Sequence, residues 1–361
     1  MEPLPPGPPA DPEKTEPAFT PLGTIPAPPI RTREGDIIHT SPELAVGEGD
    51  VRSAEQGEFI VGTSLWRDAW RRLLRNKLAV FGLIVVAIIT LASLLGPYLI
   101  KQLTGITSDY IPTDAALLKS FPPFVAPDGS FSWRHPMGTD TQGRDLLARV
   151  LQGGQISLMV GIIATVMSLI IGVSYGAVAG YLGGRLDNLM MRLVDVLYSL
   201  PYIIIVIVLL SMFKSQTAQG QLVLLFVALG SVSWLTMARI VRGQVLSLKN
   251  QEFVLAARAT GVSTPRIIFR HLVPNTLGPV IVYATLTIPT VMLTEAFLSF
   301  LGFGVQPPLA SWGSLATDGI QNIAIFPWQL IFPGLTMGLT LFSLNFLGDG
   351  LRDALDPQMR K

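Results

Sequence analysis

The side chains that most often carry chemistry in proteins are few and scattered in this sequence of 361 residues. There is no cysteine, which excludes disulfides, thiolate catalysis and cysteine-ligated metal or iron–sulfur sites. The three histidines, His39, His135 and His271, are far apart and show no ligand spacing, so we interpret each as a loop or surface residue. The phosphate-binding pattern G-x-x-x-x-G-K-[ST] is absent as well. We therefore expect no catalytic, cofactor or metal site in this chain.

The composition is that of a membrane protein. Hydrophobic residues make up 49% of the chain and charged residues 14%, and the formal net charge is +1. A helix of about 20 apolar residues is long enough to cross the hydrocarbon core of a bilayer. We therefore predict an all-α membrane protein with six transmembrane helices. The predicted spans are Leu78–Ile100, Val150–Gly184, Val196–Phe213, Ser215–Ala238, Leu272–Thr294 and Gly319–Gly348.

Residues 1–62 differ in composition from the rest of the chain. Twelve of the 28 prolines fall before residue 50, and apolar periodicity is nearly absent there. Such a composition predicts a disordered, proline-rich tail. The tail is either a plain spacer or a docking site for a proline-recognising partner.

Basic residues beside the spans predict the orientation of the chain in the membrane. Residues 63–100 form a basic amphipathic lead followed by the first span, and such a lead suits an anionic inner leaflet. This places the tail in the cytoplasm, segment 101–152 outside and loop 247–275 inside. The core transmembrane domain is then 153–361, and both termini are cytoplasmic. The basic residues of the lead are Arg67, Arg71, Arg72, Arg75 and Lys77.

Four glycines recur at intervals of four residues in the second predicted span. Small residues at this spacing lie on one side of a helix and allow two helix backbones to approach closely in lipid. We favour packing within the chain over pairing between subunits. The glycines are Gly172, Gly176, Gly180 and Gly184.

The polar stretch 251–275 lies between two apolar runs and begins with the pattern of a short helix. Asn250 is a suitable N-cap, and Glu252 complements the positive end of the helix dipole. Gly261 can end this helix in the left-handed conformation. The sequence therefore predicts a short first helix that stops at a glycine.

The same stretch continues with the pattern of a second short helix. Thr264 and Pro265 can start it, and Val273 with Pro274 is expected to end it, because the residue before a proline avoids helical geometry. Two adjacent alanines before the glycine would allow another protein to approach the backbone. We therefore favour a docking segment over an ordinary connector.

Several long motifs carry a family resemblance. "HPMGTDTQGRDLLARVLQGGQISL" (His135–Leu158), "LTEAFLSFLGFGVQPPLASWG" (Leu293–Gly313) and the start "LLRNKLAVFGL" resemble the permease subunits of bacterial ABC importers. The match is to the peptide/nickel branch, in the C-type subunit with an extra N-terminal span. It covers most of Leu65–Leu355 and leaves the tail out. The resemblance implies a type I ABC importer permease fold.

The polar stretch resembles the cytoplasmic signature through which such permeases contact their ATPases. Leu255 stands where the signature has a glutamate, so an ion pair from that position is not expected, and His271 stands where an aliphatic residue is usual. The resemblance implies that this loop couples the chain to an ATPase. The candidate coupling residues are Glu252, Leu255, Ala256, Ala257, Arg258, Gly261, Arg266, Arg270, Pro274 and Asn275.

Four further charged residues are candidates for other roles. Asp195 and Glu295 are costly in apolar surroundings unless they face protein or water. Both are candidates for a gate or pathway. For Asp195 we favour a local pair with Arg192 over that role, whereas Glu295 could equally border a translocation pathway or brace an external gate. Arg144 and Asp145, which we expect on a helix of alternating charge, are candidates for contact with an external binding protein, although a solvated face explains them too.

The resemblance implies a transporter that this chain forms only in part. Its partners would be a second, homologous permease in a heterodimer, two ABC ATPases that bind ATP and magnesium, an external substrate-binding protein and the lipid bilayer of the bacterial inner membrane. No nucleic acid is expected. The cargo would be a di- or oligopeptide, with nickel or another small solute as the alternative. An ion-driven secondary transporter is less favoured because acidic residues are sparse in the spans, and a membrane scaffold would leave the docking segment without a purpose.

Overall fold

The computed structural model describes residues 65–114 and 119–355, and the predicted tail 1–62 lies outside them. The regular secondary structure of the described part is helical, apart from two isolated β-bridges. Its helices in chain order are α1 (Leu65–Arg75), α2 (Lys77–Thr104), α3 (Leu146–Leu182), α4 (Gly184–Ser199), α5 (Tyr202–Met212), α6 (Ala218–Leu248), α7 (Glu252–Ala259), α8 (Thr264–Phe300), α9 (Trp312–Gln321) and α10 (Trp328–Leu355).

Five of the described helices, α2, α3, α6, α8 and α10, are long and apolar enough to cross a membrane. The predicted third span, Val196–Phe213, is different, because it is divided between α4 and α5, whose axes are bent by 83°. The bend lies at Leu200, which is extended because it precedes Pro201. The number of spans reaches six when this bent pair is taken as one span.

The predicted sixth span began too early. The apolar run that starts at Gly319 crosses the end of α9 and a turn before the spanning helix α10 begins at Trp328. Ile323 and Ile325 in this turn are exposed, at 50% and 71%. Their hydrophobicity extended the predicted span although they are not part of a helix.

The glycine row packs α3 against α6, which confirms the prediction of packing within the chain. A Cβ atom on Gly172 would lie 2.9 Å from the carbonyl oxygen of Trp234, and one on Gly180 would lie 2.9 Å from that of Arg242. Gly176 lies against the backbone of Ala238. Gly184 is outside this row, because it starts α4 with a φ of +60°.

The helix bundle has two distinct ends. At one end α1 packs on the end of α10, where Ala69, Leu73 and Ala354 form a small buried cluster. α3 and α6 finish at this same end, and α7 follows them. At the opposite end the segment before α3 packs on the start of α10, and the indole nitrogen of Trp328 donates to the carbonyl of Thr139 at 3.2 Å.

Candidate functional site

The short helix α7 begins one residue later than predicted. Its N-cap is Gln251, which is extended, and not Asn250. Asn250 belongs to the turn that closes α6, where the amide of Gln251 donates to the carbonyl of Leu248 at 3.0 Å. A residue committed to one helix end cannot also be the extended cap of the next helix.

The end of α7 is as predicted. Gly261 has a φ of +77°. Its amide donates to the carbonyl of Arg258 at 3.0 Å, and the amide of Val262 donates to that of Ala257 at 3.1 Å. This pair of bonds is a Schellman motif, which a glycine completes because it has no Cβ to strain the left-handed backbone.

The predicted end of the second helix at Val273 and Pro274 is wrong. Helix α8 starts at Thr264, after extended Ser263, and continues to Phe300. It passes Pro274 by widening into a π-helical segment, Ile267–Leu272, and the amide of Val273 donates to the carbonyl of Ile268, five residues back. A proline lacks an amide hydrogen and its ring clashes with the carbonyl four residues back, so a wider turn before it reduces the cost.

Helix α7 is fixed to the bundle along one face. Val254 is fully buried and Ala257 is nearly so, in a cluster that includes Val245 of α6. Beside them the Nε of Arg258 donates to the hydroxyl of Tyr181 at 3.2 Å, and its guanidinium lies 5.0 Å from the centroid of that ring. Val254 and Ala257 are therefore committed to internal packing, and α7 is held as a rigid element.

The opposite face of α7 is an exposed apolar surface, which we call the α7 patch and define as Phe253, Leu255 and Ala256. Phe253 is 39% exposed and Leu255 49%. At 100° per residue these two flank Ala256, so large side chains border a small one. Of the other candidate coupling residues, Ala257 is buried and cannot reach a partner. The exposed ones are Glu252, Arg258, Gly261, Arg266, Arg270, Pro274 and Asn275.

A cavity of about 620 Å³ lies between the α4–α5 bend, α6 and α8. Pockets of roughly 300–1,000 Å³ hold small ligands in proteins. No charged residue is among the described residues that line this cavity. Its polar lining residues are Tyr198, Ser199 and Tyr202 from the bend, Ser233 and Thr236 from α6, and Tyr283, Thr287, Thr290 and Thr294 from α8.

The predicted local pair of Asp195 with Arg192 is wrong. The Oδ1 of Asp195 accepts from Arg239 of α6 at 2.9 Å. Eight residues earlier on the same helix, Asp187 accepts two bonds from Arg242 at 2.6 and 2.8 Å. Asp187 and Asp195 lie two turns apart on α4 and both face α6, so the long-range partners are nearer than the local one.

These two ion pairs differ in strength because they differ in burial. The side chains of Asp195 and Arg239 are 55% and 38% exposed, and pairs that exposed contribute about 0–1 kcal/mol. Asp187 is 7% exposed and its bonds to Arg242 are bidentate, a geometry that gives strong bonds. Sequence reasoning missed Asp187, although its spacing from Asp195 was a usable signal.

Glu295 lies outside the cavity lining and is 1% exposed. Its Oε1 accepts from the hydroxyls of Ser299 and Ser311, both at 2.7 Å. Ser311 is also the N-cap of α9, in a capping box with Ser314. Glu295 thus ties the end of α8 to the start of α9 across the loop between them, which favours the bracing interpretation.

Replacing Glu295 by Gln is expected to leave stability nearly unchanged, because the amide oxygen can still accept from both serines. Glu295→Leu is expected to lose about 1–3 kcal/mol, since two buried hydroxyls lose their acceptor. Thermal unfolding of the purified protein measures both. Equal destabilisation by the two variants would show that the charge of Glu295, and not its acceptor oxygen, is what the structure requires.

The segment before α3 has its charges paired internally. The predicted helix over Arg144 and Asp145 is wrong, because Asp145 is the N-cap of α3 and its Oδ1 accepts from the amide of Ala148 at 2.7 Å. Its Oδ2 lies 2.7 Å from the Nδ1 of His135. The Nε of Arg144 donates to Asp140 at 2.7 Å. Contact of Arg144 and Asp145 with an external partner stays a prediction, although both side chains already have partners in the chain.

Asp318 of α9 lies close enough to interact with this charged segment. Burial raises the pKa of Asp318, and the charges of Arg149 and Arg144 oppose that rise. Asp140, Arg144, Arg149 and Asp318 together carry no net charge. They form an electrically balanced cluster where the start of α3 meets the second half of α9.

Comparison with known proteins adds family matches along the chain. Residues 172–361 match the family described as binding-protein-dependent transport system inner membrane component. Residues 64–127 match the N-terminal transmembrane domain of oligopeptide transport permease C. The two matches include most of the described spans.

Individual relatives are similar over most of their length. The chain is 50% identical over 301 residues to the oligopeptide transport system permease protein OppC of Escherichia coli K12, covering 83% of this chain and 94% of the relative. It is 47% identical over 299 residues to OppC of Haemophilus influenzae, covering 83% and 90%. It is 44% identical over 299 residues to the dipeptide transport system permease protein DppC of Bacillus subtilis, covering 82% and 87%.

A solved structure of the MetNI methionine ABC transporter in an inward-facing conformation is also similar, with 19% identity and a TM-score of 0.46, covering 58% of this chain and 96% of that chain.

The family match extends over more than half of the chain, and the relatives are close in both identity and coverage. Together with the apolar spans, they establish that this chain belongs to the family of inner membrane components of binding-protein-dependent transport systems.

Proposed function

We propose that this chain is a permease subunit of an ATP-driven importer of di- and oligopeptides. It forms half of the translocation pathway together with a second, homologous permease, and two ABC ATPases and an external binding protein complete the transporter. ATP and magnesium bind in the ATPases. Two of the close relatives are named for oligopeptide transport and a third for dipeptide transport, which favours peptides over nickel or another small solute.

The observation that carries the proposal is the exposed apolar α7 patch on a helix that is otherwise rigidly packed. Phe253 and Leu255 border the small Ala256 at one end of the bundle. In water this surface is unfavourable, and a groove on an ATPase would cover it. Because more than half of each large side chain is already buried within the chain, covering the rest contributes about 0.7–1.5 kcal/mol each.

Docking alone does not drive transport. Moving a two-state carrier from 1:99 to 99:1 takes about 5.5 kcal/mol of differential interaction, whereas contacts that are equal in both states shift nothing. The nucleotide state of the ATPases therefore determines which conformation of the transporter is favoured. The movement of the ATPases is passed to this chain at the α7 patch.

The continuous helix α8 gives this displacement a path into the membrane. It begins beside α7, runs through the wall of the cavity at Thr287 and Thr294, and reaches the Glu295 brace before it ends. A rigid element that joins the coupling surface, the cavity and the brace can transmit one movement to all three. The element that transmits the movement is thus a single helix, α8, with a π-helical segment near its N-terminus.

The distribution of basic residues supports the orientation of the chain in the membrane. The loop 247–275 with its flanks is basic, since the stretch from Arg239 to Arg270 has six Lys or Arg against a single glutamate, so it faces the cytoplasm with both termini. The segment 101–152 then faces outward, toward the binding protein. The chain sits in the bacterial inner membrane.

Peptide uptake by the reconstituted transporter tests the proposal. The chain is purified with its partner subunits, reconstituted into proteoliposomes and supplied with external binding protein and internal ATP. We expect uptake of a labelled hexapeptide that requires both. If the transporter carried no peptide but took up nickel, and peptide did not inhibit that uptake, the small-solute alternative would replace this proposal.

A further inference from the structure

The wall that α8 contributes to the cavity carries hydroxyl groups and apolar side chains and no charged residue. It extends along α8 from Tyr283 to Thr294, which is about 16 Å of helix. Opposite this wall lie Ser233 and Thr236 of α6. The ion pair of Arg239 with Asp195 is close by, since Arg239 lies 4.2 Å from the centroid of the Tyr198 ring, but neither charged residue lines the cavity.

Three threonines form a row on the cavity side of α8. Thr287, Thr290 and Thr294 are spaced at i, i+3 and i+7, which places them on one face of the helix. Each hydroxyl donates its proton to the carbonyl four residues back, at 2.8, 3.0 and 2.9 Å respectively. The hydroxyl of Ser233 on the facing helix does the same at 2.7 Å.

A hydroxyl whose proton is committed to its own backbone can still accept a hydrogen bond from a ligand. The threonine row therefore presents acceptors and no charge to the cavity, and the Thr294 hydroxyl in it is also hydrogen-bonded to the hydroxyl of Tyr202. The hydroxyls of Tyr198 and Tyr283 in the same lining can donate as well as accept, whereas that of Tyr202 is hydrogen-bonded to Ser233 and Thr294. A chain of alternating N–H and C=O groups finds partners for both on such a surface.

Absence of charge in the described lining matters for selectivity. A fixed charge attracts ligands of opposite sign and rejects those of like sign, by several kcal/mol at short range in a partly buried site. Neutral acceptors do not discriminate in this way. A passage that must admit peptides with acidic, basic and apolar side chains needs a lining of this kind.

We propose that the peptide passes through this cavity and that Thr287, Thr290 and Thr294 accept hydrogen bonds from its backbone N–H groups, so that the passage recognises the backbone and not the side chains. The inference rests on the proposed function of peptide import and names the specificity-determining residues of that pathway.

The test replaces the three threonines by valine, which keeps the shape and removes the acceptor. In the complete reconstituted transporter with saturating binding protein, we expect the rate of hexapeptide uptake to fall about tenfold. The matched control replaces Thr285, Thr336 and Thr340 by valine. Their hydroxyls make the same bond to the carbonyl four residues back, but they do not line the cavity, so uptake by this control should match the wild type.

Backbone N-methylation of the hexapeptide removes the N–H donors of the ligand, whereas the valine variant removes the acceptors of the protein. We expect the wild type to carry the N-methylated peptide several-fold more slowly than its parent, and the valine variant to show a smaller ratio between the two. Discrimination by the binding protein is the same in both transporters, so it cancels in this comparison. A variant with serine at the three positions keeps the acceptors and should retain the wild-type ratio.

A single charge in the row gives an independent readout. Thr290→Asp is expected to favour a lysine-rich hexapeptide over a glutamate-rich one by at least tenfold relative to the wild type. The inference would be overturned if the valine variant kept the wild-type rate and N-methylation ratio, if serine and valine variants lost uptake equally, or if Thr290→Asp left charge preference unchanged. If the wild-type transporter carried no peptide at all, the proposed function itself would be overturned. The comparisons between variants test only the role of the threonines, so the two failures can be told apart.

Discussion

A transporter in which Phe253 and Leu255 are both replaced by aspartate is expected to lose its ATPase subunits during purification. Both side chains are partly exposed in this chain, at 39% and 49%, so the substitutions should not disturb its own folding. Since less than half of each side chain is still exposed, the substitutions would remove about 1.5–3 kcal/mol of apolar burial at the interface. That corresponds to roughly ten- to hundred-fold weaker binding.

The measurement is the amount of ATPase that co-purifies with the tagged permease, followed by titration of purified ATPase into the reconstituted variant. Ile323 and Ile325 provide a matched control, because they are exposed apolar residues at the opposite end of the bundle. Aspartate at both should leave ATPase recovery unchanged. If the two double variants retained the same amount of ATPase, the α7 patch would not be the coupling surface.

The position of the short helix α7 could be predicted from local sequence because its determinants are local, whereas its exposed face could not, since Ala257 of the predicted docking pair is buried. Gly261 ends α7 through the left-handed geometry that a glycine permits, and that geometry depends on neighbours within five residues. The long apolar helices were predictable for a similar reason, since length and hydrophobicity decide whether a helix can cross a bilayer. The family resemblance, which family matches and close relatives confirm, rests on the same contiguous motifs.

Contacts between distant segments were not predictable in this way. Asp195 has its partner 44 residues away, and nothing in the spacing of Asp195 and Arg192 reveals that α4 lies against α6. Pro274 was expected to end a helix, yet the π-helical segment before it lets α8 continue. Local propensity gives the free-energy cost of a proline within a helix. Whether the helix continues past the proline depends on how strongly the packing of α8 on both sides stabilises it.

The close packing of α3 on α6 gives the second large effect. Leucine at Gly176 is expected to destabilise the folded subunit by about 3 kcal/mol, the upper end of the range for overpacking. A Cβ at this position would already lie against the backbone of Ala238, which cannot move without separating the two helices. Alanine at Gly176 should cost less, about 1–2 kcal/mol in the lower part of that range, so destabilisation is expected to grow with side-chain size.

Gly243 of α6 is the matched control, because it is also a glycine within a spanning helix, but a Cβ atom added to it would have no neighbouring atom within 4 Å. Gly243→Ala should stabilise the helix by up to about 1 kcal/mol, the difference in helix propensity between the two residues. The two alanine variants are thus expected to change the thermal midpoint of the purified transporter in opposite directions. Similar midpoints for Gly176→Leu and the wild type would mean that α3 and α6 do not approach each other as closely as the glycine row requires.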